Sequence, residues 1–380
     1  MKSRILVYGV DGFMGALTSH AAAQAGLAHV AGGRAIAGVA QHASALAKRK
    51  GSALAEPRTF TPGNAERIAG QLDDVGVLVN CAPLEGEDLR SLTVACIATG
   101  THLIDMSADR ARVAALAAFD EAAAKEKTML MAGAGFDFAA VDAVAMRLAQ
   151  ILPGARAVTL AVKRGSRTME EAARLAAAMR EEGETLKNGQ FVPARAGERV
   201  IEVDFDEGPE KAYLAPWRGE AMAARHRGIY STMETFEALP EKVARALEQG
   251  TMAHRFFRRG WGLKRLERRL AGGRLTPGKA ELTKGHAVVW GEARHPDGRV
   301  RRARLVTPQT HVYSAEAAVL LARRALDAAK PGYQLPSAVA GAALVEEIPG
   351  VQWREIVERA EETVDEDGRP VTPQAEPEGA

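Results

Sequence analysis

The sequence predicts an α/β fold, in which an N-terminal Rossmann-type parallel sheet precedes a second α+β domain with a mixed sheet. Short apolar strands alternate with alanine-rich helices from residue 4 to about 150, and a glycine triplet follows the first strand. Beyond about Gly154, alternating half-buried strands replace that pattern. At 380 residues the chain is long enough for two domains. We therefore predict a Rossmann-type domain over residues 1–150 and an α+β domain for substrate or oligomer contacts over residues 151–312. C-terminal helices are predicted over residues 313–360, and whether they return to the first domain is left open. A disordered tail is predicted over residues 361–380.

The first domain is predicted from strand and helix patterns in alternation. Its strands are predicted at Arg4 to Tyr8, His29 to Gly33, Val75 to Asn80, His102 to Met106 and Thr128 to Ala132. Its helices are predicted at Gly12 to Ala25, Ala43 to Lys50, Asn64 to Leu72, Leu89 to Thr99 and Arg112 to Lys125. Nearly continuous apolar strands are typical of a sheet covered on both faces. Because βαβ crossovers are right-handed, the loops after these strands converge at one edge, where we expect the site.

The second domain is predicted from alternating strands and one hairpin. Strands are expected at Ala157 to Lys163 and Arg199 to Phe205, and a hairpin joins Gly285 to Arg294 with Arg299 to Val306. Helices are expected at Glu170 to Glu182, Pro240 to Gln249 and Ser314 to Ala329, before a further segment at Ser337 to Glu347. The last twenty residues, rich in Glu, Asp, Pro and Gly, have too little apolar surface to fold alone.

Composition excludes several classes of protein. Hydrophobic residues make up 47% and charged residues 26%, as in ordinary globular proteins, and the net charge of +2 gives no field that would recruit nucleic acid. Cys81 and Cys96 are too few for a disulfide framework, and no Cys/His spacing suggests a metal site. The chain enters its first strand with no signal peptide pattern and has no long apolar run, so we expect a cytoplasmic protein.

A glycine triplet at the first strand-to-helix turn predicts a dinucleotide site. Gly9, Gly12 and Gly15 are spaced as G-x-x-G-x-x-G, with Val10, Asp11, Phe13 and Met14 between them. Such a turn needs φ angles that glycine adopts at little cost, and it leaves backbone amides open to a pyrophosphate. The third glycine lets the helix pack closely on its strand. The alternative is a glycine-rich turn that serves packing alone.

The end of the second strand predicts which coenzyme the site prefers. An acid at that position binds the ribose hydroxyls of NAD, whereas an arginine pairs with the extra phosphate of NADP. Between Asp11 and Glu56 there is no Asp or Glu, and the strand ends in Arg34. We therefore expect NADP(H) in preference to NAD(H), with a solvated loop cation as the alternative for Arg34.

The later strand ends supply the remaining predicted coenzyme contacts. Cys81, Ala82 and Pro83 follow one strand, and small residues there let the chain pass under the riboses. Ser107 follows the next strand, and Gly135, Phe136 and Asp137 follow the sixth, where two glycines permit close approach to the nicotinamide. Asp137 is expected to cap the next helix or to orient a substrate. Cys81 is expected to be a packing residue, since no base stands near it in the sequence.

Two further features belong to the second half of the chain. Tyr230 and His311 have side chains suited to general acid catalysis and are weak catalytic candidates, since such residues also occur in strands for packing. Residues 254–270 are strongly basic with apolar residues interleaved, which suits an acidic carrier protein, a phosphorylated substrate or a membrane surface, or simply a solvated helix. No zinc, stacking or helix-turn-helix signature accompanies the charge, so nucleic acid is not expected.

Taken in order, these motifs resemble the saccharopine dehydrogenase-like oxidoreductases, most nearly the branch with the trans-acting enoyl reductases. The resemblance rests on Val7 to Gly15, Ala31 to Arg34, Asn80 to Pro83, Ala98 to Ser107 and Gly133 to Asp137, with a weaker likeness at Pro331 to Ser337. It implies a Rossmann domain that binds NADP(H), a mixed-sheet domain over the nicotinamide, and redox chemistry on a small, acyl or lipid-like substrate. Asp11 departs from the family's frequent threonine, and a negative charge near a pyrophosphate is unfavourable unless it points away or pairs with a cation.

The function expected from all of this is reduction of an acyl, enoyl or carbonyl substrate with NAD(P)H. Saccharopine itself is not expected, because the lysine and histidine pair of the lysine-pathway enzymes is not found. Two other classes stay open: a sensor that binds NADP without turnover, and a scaffold that recruits an acidic partner through residues 254–270. A homodimer also stays open.

Overall fold

A computed structural model describes the larger part of the chain. The described residues are 2–49, 51–107, 110–216, 228–241, 243–244, 260–270, 275–355, 363–364 and 370–371. They form two large sheets with helices packed on both, which confirms the predicted α/β class with a second mixed sheet. Within these residues, no helix has the length and apolar character needed to cross a membrane.

The first sheet is parallel throughout. Its strands are β1 (Arg4–Tyr8), β2 (His29–Gly33), β3 (Ala55–Thr59), β4 (Val75–Asn80), β5 (His102–Asp105), β6 (Met129–Ala132) and the late strand Gly332–Gln334. The order across the sheet is β3-β2-β1-β4-β5-β6 and then Gly332–Gln334. The chain therefore reverses its direction of winding next to β1, between β1 and β4, which is where open α/β sheets bind their ligands.

Helices cover this sheet on both faces. In chain order they are α1 (Phe13–Gln24), α2 (Ile36–Ala47), α3 (Ala65–Ala69), α4 (Gly86–Thr99), α5 (Arg110–Ala117), α6 (Asp120–Lys125) and α7 (Phe136–Ile151). Helix α2 begins earlier than predicted, and the single helix expected from Arg112 to Lys125 is two helices. The long helix Thr310–Ala328 also returns to this sheet, where Ala318 and Leu321 share an apolar cluster with Val7 of β1.

The second sheet is mixed. Its strands are β7 (Ala157–Lys163), β8 (Gly183–Lys187), β9 (Gln190–Ala194), β10 (Val200–Asp204), β11 (Pro209–Leu214), β12 (Thr232–Ala238), β13 (His286–Arg294), β14 (Val300–Pro308) and Gln352–Glu355. The order is β10-β11-β12-β7-β13-β14 and then Gln352–Glu355, in which β12 and β7 run parallel. The hairpin predicted around Pro296 to Gly298 is present as β13 and β14, and Gly298 takes a φ of 94° in its turn.

Several strands escaped the sequence analysis because their side chains are polar. Strand β3 contains Glu56, Pro57 and Arg58 and lies at the edge of its sheet, where proline and charge are tolerated and discourage pairing with other chains. Strands β8 and β11 are also rich in charged residues. Of the helix predicted from Pro240 to Gln249, only residues 240, 241, 243 and 244 are described, and the last three of these are helical. Much of the predicted tail lies outside the described residues, and within it Thr363–Val364 pairs with Pro370–Val371.

Two helices join the sheets and thereby position the space between them. Helix α7 leaves the end of β6 in the first sheet and packs its apolar side chains, such as Val144 and Leu148, against the second sheet. The long helix Thr310–Ala328 leaves β14 of the second sheet and packs on the first. Helix α8 (Met169–Ala178) follows β7 and faces the ends of the first sheet's strands across a cleft.

Candidate active site

A cleft of 490 Å³ lies between the carboxyl ends of the first sheet's strands and the second domain. The predicted site residues that line it are Gly9, Asp11, Gly12, Phe13, Met14, Arg34, Cys81, Ala82, Pro83, Ser107, Gly135, Phe136, Asp137 and His311. From the second domain the lining includes Arg164, Thr168, Glu171, Arg174 and Glu237, none of which the sequence singled out. The structure thus gathers segments from both domains around one space.

The glycine turn has the geometry that a pyrophosphate site requires. Gly9 takes a φ of 94°, and its N–H and that of Val10 both donate to the carbonyl of Gly32, at 2.8 and 3.0 Å. A Cβ on Gly15 would stand 2.0 Å from the carbonyl oxygen of Gly9, so only glycine lets α1 pack this closely. Helix α1 begins after Gly12 with no side-chain cap and no acid in its first turn. Its first amides therefore face the cleft as an anion site, which fits a dinucleotide phosphate.

Asp11 points away from that anion site. Its Oδ2 accepts the backbone N–H of Ala35 at 3.1 Å, beyond the end of β2. The unfavourable contact between this carboxylate and a pyrophosphate, which the sequence alone raised, is thus avoided by the orientation of the side chain. Val10 is buried in the apolar cluster that also contains Val7 and does not line the cleft. Arg34 is exposed at the cleft where β2 ends.

A polar network centred on the buried Asp105 adjoins the cleft, which its partners Asn80, Ser107 and Arg112 line. The side chain of Asp105 is fully buried and accepts the Nδ2 of Asn80 at 2.6 Å, the backbone N–H of Ser107 at 2.8 Å and the Nη1 of Arg112 at 3.1 Å. Each bond links a different strand end or helix. The network therefore fixes the loops after β4 and β5 in relation to each other, and it includes an ion pair between Asp105 and Arg112.

The thiol of Cys81 is unsuited to nucleophilic catalysis. Burial raises its pKa to about 12, and its Sγ lies 3.6 Å from the hydroxyl of Thr18. Thiolates are the reactive form of cysteine. The geometry therefore supports the expectation that Cys81 is a packing residue at the cleft wall.

At the start of α7, Asp137 faces the second domain. The N–H of Phe136 donates to Ser314 Oγ at 2.8 Å, so a side chain of the long helix caps this helix. The carboxylate of Asp137 lies 3.2 Å from the Nη1 of Arg164, whose side chain is 8% exposed. Asp137 thus joins the two walls of the cleft by an ion pair, in addition to its place in the first helical turn.

His311 and Glu171 form an acid and base pair in the cleft. The Nε2 of His311 lies 2.8 Å from the Oε2 of Glu171, and the guanidinium of Arg164 lies 3.8 Å from its other oxygen. The N–H of Thr168 also donates to Glu171, in a capping box that begins α8. Burial raises the pKa of Glu171, but the hydrogen bond from His311, the charge of Arg164 and the Thr168 N–H outweigh it and hold the pKa below its usual range.

Gln309 fixes the state of the imidazole. Its Oε1 accepts the backbone N–H of His311 at 2.8 Å, which leaves its Nε2 facing the Nδ1 of the same ring at 2.8 Å. Because an amide nitrogen only donates, Nδ1 must accept, and the ring proton stands on Nε2 toward Glu171. Both side chains line the cleft, and that of Glu171 is the more exposed of the two, at 20% against 2% for His311. No local sequence signal marked Glu171, since its partner is 140 residues away.

Tyr230 lies away from this site. It is 4% exposed, packs in the apolar cluster under α7, and its hydroxyl donates to the carbonyl of Ala145 at 2.8 Å. Tyr230 does not line the cleft, and this placement gives it a packing role instead of the predicted catalytic one. Within the described part of the chain, no group of His, Cys, Asp and Glu side chains could hold a metal ion.

The basic segment is described only in part. Residues 254–259 lie outside the described residues, and the remainder forms the helix Gly260–Leu270, which contacts α8. Lys264, Arg265 and Arg268 are exposed on it. The helix therefore lies beside the cleft wall that carries Glu171.

Comparison with known families adds to this geometry. Residues 5–132 match the saccharopine dehydrogenase NADP binding domain. The match covers the glycine turn, Arg34 and the loops after β4 and β5, and it supports the saccharopine dehydrogenase-like family and a preference for NADP. No curated protein matched the chain.

Solved structures share the fold. Apo saccharopine dehydrogenase (L-Glu forming) from Saccharomyces cerevisiae is similar over 93% of this chain and 99% of its own, with a TM-score of 0.62 and 12% identity. A meso-DAPDH variant with DAP from Clostridium tetani covers 92% of this chain and 98% of its own at a TM-score of 0.45 and 13% identity. The first likeness spans both domains and shows the fold. The domain match by itself supports an oxidoreductase.

Proposed function

We propose that this protein is an NADPH-dependent reductase of a carbonyl, enoyl or acyl compound, in which Glu171 and His311 handle the proton. The observation that carries the proposal is their hydrogen bond of 2.8 Å inside the cleft that the glycine turn also lines. A protein that only sensed the nucleotide would have no need of a half-buried carboxylate paired with a buried imidazole in the cleft that would hold its coenzyme. The pair therefore favours an enzyme over the sensor hypothesis.

The coenzyme would be held by backbone and by Arg34. The amides that begin α1 take the pyrophosphate, the guanidinium of Arg34 takes the 2′-phosphate, and the loops containing Pro83, Ser107 and Gly135 frame the nicotinamide. When bound, NADPH supplies the hydride. The protein supplies orientation and a polar wall opposite the coenzyme.

Glu171 is the group that would contact the substrate oxygen. With its pKa held low it is a carboxylate at neutral pH, so it accepts a hydrogen bond from a substrate hydroxyl and takes that proton in the oxidative direction. In the reductive direction a proton from solvent would be relayed through Glu171 to the oxygen on which charge develops. The N–H of His311 stabilises the carboxylate between these states, and Gln309 keeps that N–H in place.

The cleft wall also bears on substrate class. Leu175, Ala178 and Leu275 add apolar surface beside Arg164 and Glu171. This combination suits a polar carbonyl head with an apolar extension, as in an acyl compound. The exposed cations on the neighbouring helix Gly260–Leu270 support an acidic partner that presents such a substrate. A pull-down of an acidic carrier protein tests this partner. We expect its binding to weaken with salt and to be lost in the double variant Arg265→Glu with Arg268→Glu.

The test of the reaction compares two adjacent glutamates. NADPH oxidation is measured over a panel of ketones, aldehydes and enoyl and acyl thioesters, with wild type, Glu171→Gln and Glu170→Gln. Glu170 also lines the cleft but is exposed and pairs with Arg174 on its own helix. We expect Glu171→Gln to lower kcat by roughly 100-fold or more, and Glu170→Gln to stay within about threefold of wild type.

Two outcomes would contradict the proposal. Tight NADPH binding with no turnover of any panel compound would favour the sensor. Turnover that Glu171→Gln leaves unchanged would keep the reductase but remove the pair from its mechanism. Thermal unfolding of each variant separates a loss of chemistry from a loss of fold.

A further inference from the structure

The end of β2 carries a carboxylate that its own sequence does not supply. The residues after Asp11 contain no acid until Glu56, so β2 ends without the usual ribose-binding acid. In the structure Asp11 reaches this place from the glycine turn, and its Oδ2 accepts the N–H of Ala35, the residue after Arg34. The carboxylate therefore stands at the strand end where NAD-binding sheets hold an acid.

Two glycines make room for this side chain. A Cβ on Gly33, the last residue of β2, would stand 2.7 Å from the Oδ1 of Asp11. A Cβ on Gly38, in the first turn of α2, would stand 3.0 Å from the Cβ of Asp11. Contacts as short as the 2.7 Å from Gly33 are essentially never seen for a real Cβ. The side chain of Asp11 therefore fills the space that these two glycines leave, although its outer side is exposed.

Arg34 and Asp11 place opposite charges at the same part of the cleft, next to Tyr8. Both line the cleft together with Tyr8, whose hydroxyl donates to the carbonyl of Phe60 at 2.9 Å. Burial raises the pKa of Tyr8, the charge of Arg34 lowers it, and the charge of Asp11 raises it. The two side chains are thus both close enough to Tyr8 for their opposite charges to act on it.

We propose that Asp11 is a specificity-determining residue that opposes Arg34 at the 2′ position of the coenzyme's adenosine ribose. A carboxylate accepts hydrogen bonds from ribose hydroxyls and repels a 2′-phosphate, and a guanidinium does the reverse. The site binds NADP(H) more tightly than NAD(H), but the ratio of the two affinities is smaller than it would be with Arg34 and without Asp11. It therefore also accepts NAD(H). The inference rests on the coenzyme site and not on the substrate of the proposed reductase.

The experiment measures binding of two ligand fragments that differ only at the 2′ position. Adenosine 2′,5′-bisphosphate and AMP are titrated calorimetrically into wild type, Asp11→Asn, Arg34→Gln and the double variant. We expect Asp11→Asn to bind the bisphosphate roughly five- to tenfold more tightly and AMP about twofold more weakly, since the opposed charges are partly solvated. Arg34→Gln is expected to weaken the bisphosphate by roughly tenfold and to leave AMP within about twofold.

A control variant distinguishes a specific effect of Asp11 on the 2′ position from a general effect of removing one negative charge. Asp88→Asn removes another negative charge that acts on Tyr8 but does not line the cleft. We expect it to change the ratio of the two affinities by less than about twofold. Asp11→Thr serves as a second variant where Asp11→Asn is poorly folded, and thermal unfolding reports on both.

The outcomes are distinct from those of the reductase test. An unchanged ratio in Asp11→Asn and Asp11→Thr, or an equal change for both fragments, would overturn the inference, whatever turnover is found. A shifted ratio with no turnover would support the inference and contradict the reductase. A shift that shrinks in high salt is expected, because screening weakens exposed charges.

Discussion

Replacing Gly15 with alanine tests the geometry of the glycine turn most directly. The added Cβ would lie 2.0 Å from the carbonyl oxygen of Gly9, 2.3 Å from its carbonyl carbon and 2.7 Å from the N of Val10, and all three of these atoms belong to the backbone. Ordinary contact begins at 3.4 Å, so α1 must move off β1 by about 1.4 Å. Overpacking of this kind costs about 1 to 3 kcal/mol, since no flexible side chain can yield instead.

Gly12 provides the matched control within the same turn. Its φ is −109° and its added Cβ would lie 3.4 Å from the Gly9 carbonyl, so alanine is accommodated by the fold. We expect Gly12→Ala to cost only a few tenths of a kcal/mol at this N-cap but to weaken NADPH, because its methyl group faces the pyrophosphate amides. Gly15→Ala is expected to lower Tm by about 2 to 8 °C and to weaken NADPH as well.

Thermal unfolding of the protein without coenzyme, followed by titration with NADPH, separates the two effects. Equal Tm values for Gly15→Ala and wild type would refute the packing argument. Full NADPH affinity in Gly12→Ala would refute the position given to the pyrophosphate. Either result would leave the fold intact but remove the physical basis of the coenzyme site.

Three further predictions concern buried polar groups. Asp105→Ala leaves a buried guanidinium without its ion pair and is expected to cost about 3 kcal/mol or more, measured by urea unfolding. Burial lowers the pKa of His29 and His42, so below about pH 6.5 the unfolded chain binds more protons than the folded chain. The free energy of unfolding therefore decreases as the pH is lowered, by up to about 1.4 kcal/mol per pH unit for each histidine. Changing both histidines to glutamine should flatten this pH dependence, and an unchanged slope would contradict the prediction. Burial raises the pKa of Cys81 and Cys96 to about 12, so alkylation near pH 8 should be far slower than in the urea-unfolded chain, and equal rates would count against their burial.

The apolar strands and the glycine turn could be predicted because their signals are local. Buried parallel strands such as β4 are continuous apolar runs, and a turn that needs a positive φ calls for glycine at Gly9. Strand β3 could not be predicted in the same way, since an edge strand carries Pro57 and charged residues that resemble a loop. Charged strands of the second sheet were missed for the same reason.

Most of the first domain's share of the site followed from this regularity. Once parallel strands are predicted, their carboxyl ends must meet, so the sequence predicts Arg34, Pro83 and Gly135 at one cleft, which they line in the structure. His311 was named from its chemistry alone, and the fold brings it to the cleft. Tyr230 was named on the same grounds, and the fold buries it under α7.

The sequence by itself determined the alternation of strands and helices, the coenzyme turn and the cation at the end of β2, because each depends on neighbouring residues and their periodicity. Only the tertiary structure decided that Glu171 meets His311 and that Asp11 supplies the carboxylate β2 lacks. These pairings join residues 140 and 24 positions apart. The first pairing joins the helices that follow β7 and β14 of the second sheet, and the second joins the loops after the neighbouring strands β1 and β2. Neither contact leaves a periodic trace in the order of the residues.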